Sequence, residues 1–222
     1  MIKIEHIEVS GFRAALRGMR NPLNSWNKSD SKHFDKALYP RFKKNQAAHM
    51  FAGDVTEIGE NDLKLTATLI NAGSPDRKFL RMIHVSMDVT APLYWWKEYD
   101  TYKVSTVANS CSTMHTIHKR PFTVDDFSHD KLELDFNYAL LDNIVYCLNV
   151  NREKYLETKD KRYWWQMIQL LPTSYNQRRT LDLNYETLRA IYYWRKNHKL
   201  DEWRELCKAL ETLPYAKEFI VN

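Results

Sequence analysis

The chain has 222 residues, 44% of them apolar, with only 5 glycines and 7 prolines, which excludes a disordered or collagen-like polymer and predicts one compact domain over residues 1–222. Its formal net charge of +5 suits anionic small molecules and is weaker than the basic patch of a dedicated nucleic-acid binder, so no nucleic-acid partner is expected. No stretch approaches the roughly 18 apolar residues that cross a membrane, and the N-terminus lacks a charged-then-apolar leader, so a cytoplasmic protein is expected.

The first predicted element is a strand, Lys3 to Val9, with Ile4, Ile7 and Val9 partly in phase. Gly11 to Met19 follows as a short helix that Asn21-Pro22 ends. From Leu23 to Val55 the sequence is rich in Asn, Ser, Lys and His. It reads as a loop with a short helix near Gln46 to Met50, or as a lid or interface arm. Asp62 to Asn71 has Leu63, Ala67 and Ile70 on one helical face, and Gly73 closes it. Ser74-Pro75-Asp76 then turns the chain into a strand, Met82 to Val89. Ile83, Val85, Met87 and Val89 share one face, while His84, Ser86 and Asp88 share the other. Such a two-faced strand suits a polar side that lines a cavity or an interface.

Ala91 to Met114 is the most distinctive stretch. A helix is predicted from Pro92 to Asp100, with Leu93, Trp96 and Tyr99 at helical spacing and Lys97 and Glu98 between them. After Asp100 the sequence becomes a run of Ser, Thr, Asn and Cys that is too polar for a core. A rigid helix that feeds such a run can present small hydrogen-bonding groups to a ligand. An aromatic core helix followed by a solvated loop is the competing reading.

Pro121 to Phe127 is a connector with Thr123 or Asp125 as caps. Leu132 to Thr158 is a long amphipathic helix whose apolar positions are Phe136, Leu140, Leu141, Ile144, Val145 and Leu148, with Cys147 near that face. A second helix, Lys161 to Leu171, carries Tyr163, Trp164 and Trp165, which suit a packed core, a subunit contact or a base stack. Thr173 to Leu183 is extended and polar, with Arg178 and Arg179 adjacent. Asn184 opens a helix through Leu188, Ile191 and Trp194 to Arg195, and Asp201 opens another that Pro214 ends. Cys111, Cys147 and Cys207 show no metal spacing and cannot all pair, which fits a reducing compartment. His84, His115 and His118 read as solvated or core histidines, so no metal site is predicted.

This succession of a helix, a Gly-containing turn, a strand ending in Ala91-Pro92, an aromatic helix and a Ser/Asn-rich run resembles the flavin-dependent thymidylate synthases. In that family the helix leads into an Arg-His-Arg triplet, on which Thr101-Tyr102-Lys103 falls here. Asn109 falls on the family's Glu, Cys111 on its Ser, and Lys97 on an Arg that often precedes the triplet. Leu171-Pro172, Asn184, Trp194-Arg195 and Trp203 keep the family's order further on. The departures are specific. Glu186 stands where the family has an Arg, Ile168 where it has an Arg for the substrate phosphate, and Arg81 where it has a flavin-contacting Glu.

The resemblance implies a mixed α/β (α+β) fold, with a mainly antiparallel sheet flanked by helices. It implies FAD as hydride donor, a folate as carbon donor, a pyrimidine nucleotide as substrate, and a homotetramer with sites built from several subunits. Tyr102, Lys103, Asn109, Asn184 and Arg195 are the expected cofactor-binding residues. Lys97, Glu98, Ser110, Cys111 and Ser112 are the expected substrate-binding ones. No catalytic residue is assigned: Cys111 has no base identifiable beside it, and a small polar filler is the competing role. The alternative is a non-catalytic homologue that keeps the fold as a nucleotide-binding or interaction protein.

Overall fold

The structure, a computed structural model, describes residues 2–34 and 55–222; the helix expected near Gln46 to Met50, and the lid or arm reading of its surroundings, lie outside the described residues. The described residues form two compact units. One comprises Val89–Tyr102 and Asn109–Arg179 with the first few residues of the chain. The other comprises Ile4–Asp88, Lys103–Ala108 and Thr180–Asn222.

In the second unit, strand β1 (Lys3–Ser10) runs into helix α1 (Phe12–Met19), which buries Phe12, Ala15, Leu16 and Met19 at helical spacing. Gly11, at the junction, has φ 95°, and a Cβ there would lie 2.0 Å from the Met82 carbonyl oxygen. Only glycine fits. Strands β2 (Lys32–Phe34) and β3 (Val55–Glu57) pair antiparallel, with Lys32 opposite Glu57; neither strand is expected from the sequence pattern. Helix α2 (Glu60–Ala72) ends at Gly73 as expected, but its buried residues are Asp62, Thr66 and Ile70. Leu63 is half-buried and Ala67 exposed. The Asp62 carboxylate receives Arg20 Nε at 2.6 Å, Ser29 Oγ at 2.7 Å and Ser31 Oγ at 2.5 Å, and this is why a charged residue occupies the inner face.

Strand β4 (His84–Pro92) starts after a 3₁₀ turn that takes in Met82. Ile83, Val85, Met87 and Val89 are buried as the alternation predicts. On the other face Ser86 Oγ donates to Asp182 at 3.0 Å, and Thr180 Oγ1 donates to Asp88 at 2.6 Å. Pro92 ends the strand and stands just outside helix α3 (Leu93–Tyr99). Strand β5 (Val107–Ser110) and helix α4 (Thr113–Thr116) occupy the polar run that also reads as a solvated loop.

Helix α5 (Asp135–Thr158) begins three residues later than expected and forms a hairpin with α6 (Lys161–Leu170) through Lys159, whose φ is 57°. Leu141 and Leu148 pack with Met167, Ile117, Phe122 and Phe127 into the core of the first unit. Phe136 and Leu140 are 67% and 58% exposed, and Cys147 is exposed too, so the apolar face extends beyond what the hairpin covers.

Strand β6 (Asn176–Asn184) passes without a loop into α7 (Tyr185–Arg195), just as β4 passes into α3. Helix α8 (Asp201–Glu211) has Leu200, not Asp201, at its cap position. Trp194, expected on the buried face of α7, is 71% exposed. The four longer strands form one antiparallel sheet in the order β1-β4-β6-β5, the mixed fold the sequence predicts. Among the described residues no helix is long and apolar enough to cross a membrane.

Candidate functional site

In the first unit the chemistry gathers where β5 and α4 meet β6. Trp95, Trp96 and Tyr99 bury the inner face of α3, and the Trp96 indole N–H donates to the Gln177 carbonyl at 2.9 Å. The Arg179 guanidinium lies 4.2 Å from the Trp96 ring centroid. It donates to Asp100 at 2.7 Å through Nη1 and to Gln177 Oε1 at 3.0 Å through Nε. The Cys111 N–H donates to the Arg178 carbonyl at 2.9 Å, which lays the Ser/Cys run along β6. Ser112 caps α4 by accepting from the His115 N–H at 3.3 Å.

Beside this segment opens a cleft of about 410 Å³, lined by Cys111, Thr113, Lys119, Arg120, Tyr175, Gln177 and Arg178 among others. That volume lies in the lower part of the roughly 300–1,000 Å³ typical of small-molecule sites. The lining carries three cations (Lys119, Arg120, Arg178) against two carboxylates, Asp125 and Asp126. Arg120 forms a two-point ion pair with the nearly buried Asp126, whose hydrogen bond holds the guanidinium pKa above its ordinary value. Burial, reinforced by the Asp126 charge, raises the Tyr175 pKa, so its phenol stays protonated at neutral pH. An acceptor-rich anion of mononucleotide size suits this lining.

The expected site residues divide between the two units. Lys97, Glu98, Tyr102, Asn109, Ser110, Cys111 and Ser112 belong to the first, and of these Cys111 lines the cleft. Asn109 and Ser110 are exposed on β5, and Lys97 is exposed on α3, where Glu98 is half-buried. Tyr102 lies with its ring centroid 6.4 Å from that of Tyr99. Lys103, Asn184 and Arg195 belong to the second. Asn184 is buried, and its side-chain oxygen accepts from the Thr187 N–H at 3.0 Å, capping α7. The Arg195 guanidinium lies 4.5 Å from the Trp203 ring centroid. Glu186 accepts from Arg77 Nε at 2.8 Å and from Ser74 Oγ at 3.1 Å, and Ser74 Oγ in turn accepts from Arg81 Nη2 at 3.1 Å. Gln177, Tyr175 and Lys119 are functional candidates that the sequence does not single out, and Arg179 is marked there only as one of two adjacent arginines in an extended polar run.

No protein-family model and no curated protein sequence matches this chain. Solved structures do. The flavin-dependent thymidylate synthase ThyX from Helicobacter pylori, complexed with FAD and dUMP, superposes with a TM-score of 0.65 at 16% identity, covering 98% of this chain and 97% of that one. A second structure of Helicobacter pylori thymidylate synthase X with FAD and dUMP gives the same score and identity over 99% of this chain and 95% of that one. The fold is therefore that of the flavin-dependent thymidylate synthases.

Proposed function

We propose that this protein binds a pyrimidine nucleotide in the cleft of the first unit, as a divergent, flavin-independent protein on the thymidylate synthase fold. The observation that carries this reading is the cleft itself: Cys111, at the position of the family's Ser, shares a nucleotide-sized, cation-rich lining with Lys119 and Arg178. The neighbours' dUMP gives the ligand class. Calorimetric titration with deoxyuridine monophosphate is the test. Saturable binding is expected, weakened by about 1.5–3 kcal/mol in Lys119→Ala, the range for hydrogen bonds to charged groups.

Two residues at the family's positions, Glu186 and Arg81, do not fit the neighbours' FAD. FAD brings an anionic diphosphate, which a cation stabilises and a carboxylate repels. Where the family has an Arg, Glu186 presents a carboxylate, and it is engaged by Arg77 and Ser74. Arg81 replaces the flavin-contacting Glu, so the charge pattern is reversed at both positions. The Asn184 amide oxygen is committed to capping α7.

One observation favours a second reading, a thymidylate synthase-type methyl transfer with FAD and a folate: Asn184 and Arg195 keep the family's residue types at its positions on its fold. That reading requires flavin absorption in the purified protein. In either case a cytoplasmic homotetramer is proposed, supported by three unpaired cysteines and the exposed apolar stripe of α5.

A further inference from the structure

Building on the nucleotide reading of the first-unit cleft, we propose that Gln177 is its positioning residue: held by Arg179, it fixes the Cys111–Thr113 segment so that the Thr113 hydroxyl donates to an acceptor oxygen of the bound nucleotide.

A glutamine amide has two ends of nearly equal shape, and its neighbours decide which is which. Arg179 offers only donors, and its Nε lies 3.0 Å from Oε1. The amide nitrogen must therefore face the cleft wall. There it donates to the Cys111 carbonyl at 3.1 Å and to Thr113 Oγ1 at 3.2 Å, which uses both of its protons. Because Thr113 Oγ1 accepts, its own proton points away from Gln177. Among the described residues no acceptor receives it, and Thr113 lines the cleft.

Thr116 has the opposite polarity. Its hydroxyl donates to the Ser112 carbonyl at 2.6 Å, so the 3.9 Å contact with Cys111 Sγ is one in which the thiol donates. Thr113 thus has a donor to offer where Thr116 has none, close in sequence to the Lys119 ammonium of the same cleft. Phosphate oxygens and pyrimidine carbonyls are the acceptors that match.

Gln177 is held at both its main chain and its side chain. The buried Trp96 indole grips the Gln177 main-chain carbonyl, and Arg179 grips its side-chain oxygen while stacked on the same Trp96 and paired with Asp100. A lysine at 179 keeps the charge but has neither the planar stack nor the fork.

The test uses the full chain carrying Cys147→Ser, which removes the other exposed thiol and leaves Cys207 buried. Maleimide labelling of Cys111 in the ligand-free protein reads the positioning. Gln177→Ala and Arg179→Gln are expected to speed it by about threefold, by freeing the segment locally, and Arg179→Lys not to restore the slow rate. Calorimetry with deoxyuridine monophosphate reads the donor. Thr113→Val and Gln177→Glu, whose carboxylate draws the Thr113 proton to itself, should each lose about tenfold in affinity, and Thr113→Ser should keep it. Parallel titrations with inorganic phosphate and deoxyuridine identify the acceptor as the one whose binding Thr113→Val impairs. Wild-type labelling in Gln177→Ala, or wild-type affinity in Thr113→Val, overturns the proposal. If the parent protein binds no nucleotide, the functional reading and the donor role fail together, and the labelling rates still decide whether Gln177 positions the segment.

Discussion

Asp62 carries its charge with none of the side chain exposed, on an inner helix face that it shares with Thr66 and Ile70 and that the hydropathy pattern does not assign to the core. Burial alone would raise its pKa, but the bonds from Ser29, Ser31 and Arg20 outweigh that and hold it below the ordinary 3.8. A depressed folded pKa contributes stability above the unfolded value and loses it as the pH falls through the folded one. Stability to urea is therefore expected to hold at neutral pH and fall on acidification below about pH 4, and Asp62→Asn should lack that part of the decline. Asp62→Ala, which strands the buried Arg20, should cost about 3–5 kcal/mol in the same measurement. The inner face of this helix is not legible in the sequence, because the partner that makes the carboxylate tolerable is 42 residues away. A hydropathy pattern records each residue's own preference and says nothing about what it will meet.

Among the elements, the legible ones are those whose signals are local. β4 shows its alternation within one short run, and α7 declares its start at Asn184, whose amide caps the first turn. Asn184→Ala should lower stability by about 0.5–2 kcal/mol, measured by thermal melting. The hairpin of α5 and α6 was legible in length but not in orientation. Apolar residues lie round much of α5, and which of them are covered depends on α6, a later segment. The site divides in the same way. The Cys111 segment stands out by its spacing from Ala91-Pro92, whereas Gln177 reaches it through pairing across 66 residues.

For the whole molecule, the exposed Phe136 and Leu140, one turn apart on α5, are apolar surface of the kind that marks an interaction site. If copies of the chain meet there, Phe136→Asp with Leu140→Asp should reduce the mass seen by light scattering toward the 26.5 kDa protomer, with little change in melting temperature. The reversed charges at Arg81 and Glu186 predict that the purified protein shows no flavin absorption and does not quench added FAD. The route of the chain has a consequence for inheritance and engineering. Both β4 and β6 change unit part-way along their length, and Lys103–Ala108 is a short excursion between segments of the other unit. Neither unit can be exchanged as a cassette by a single crossover, because each is assembled from separated stretches of the gene. The helical hairpin of α5 and α6 is the exception: it is one uninterrupted stretch within one unit, so recombination or grafting can replace it whole.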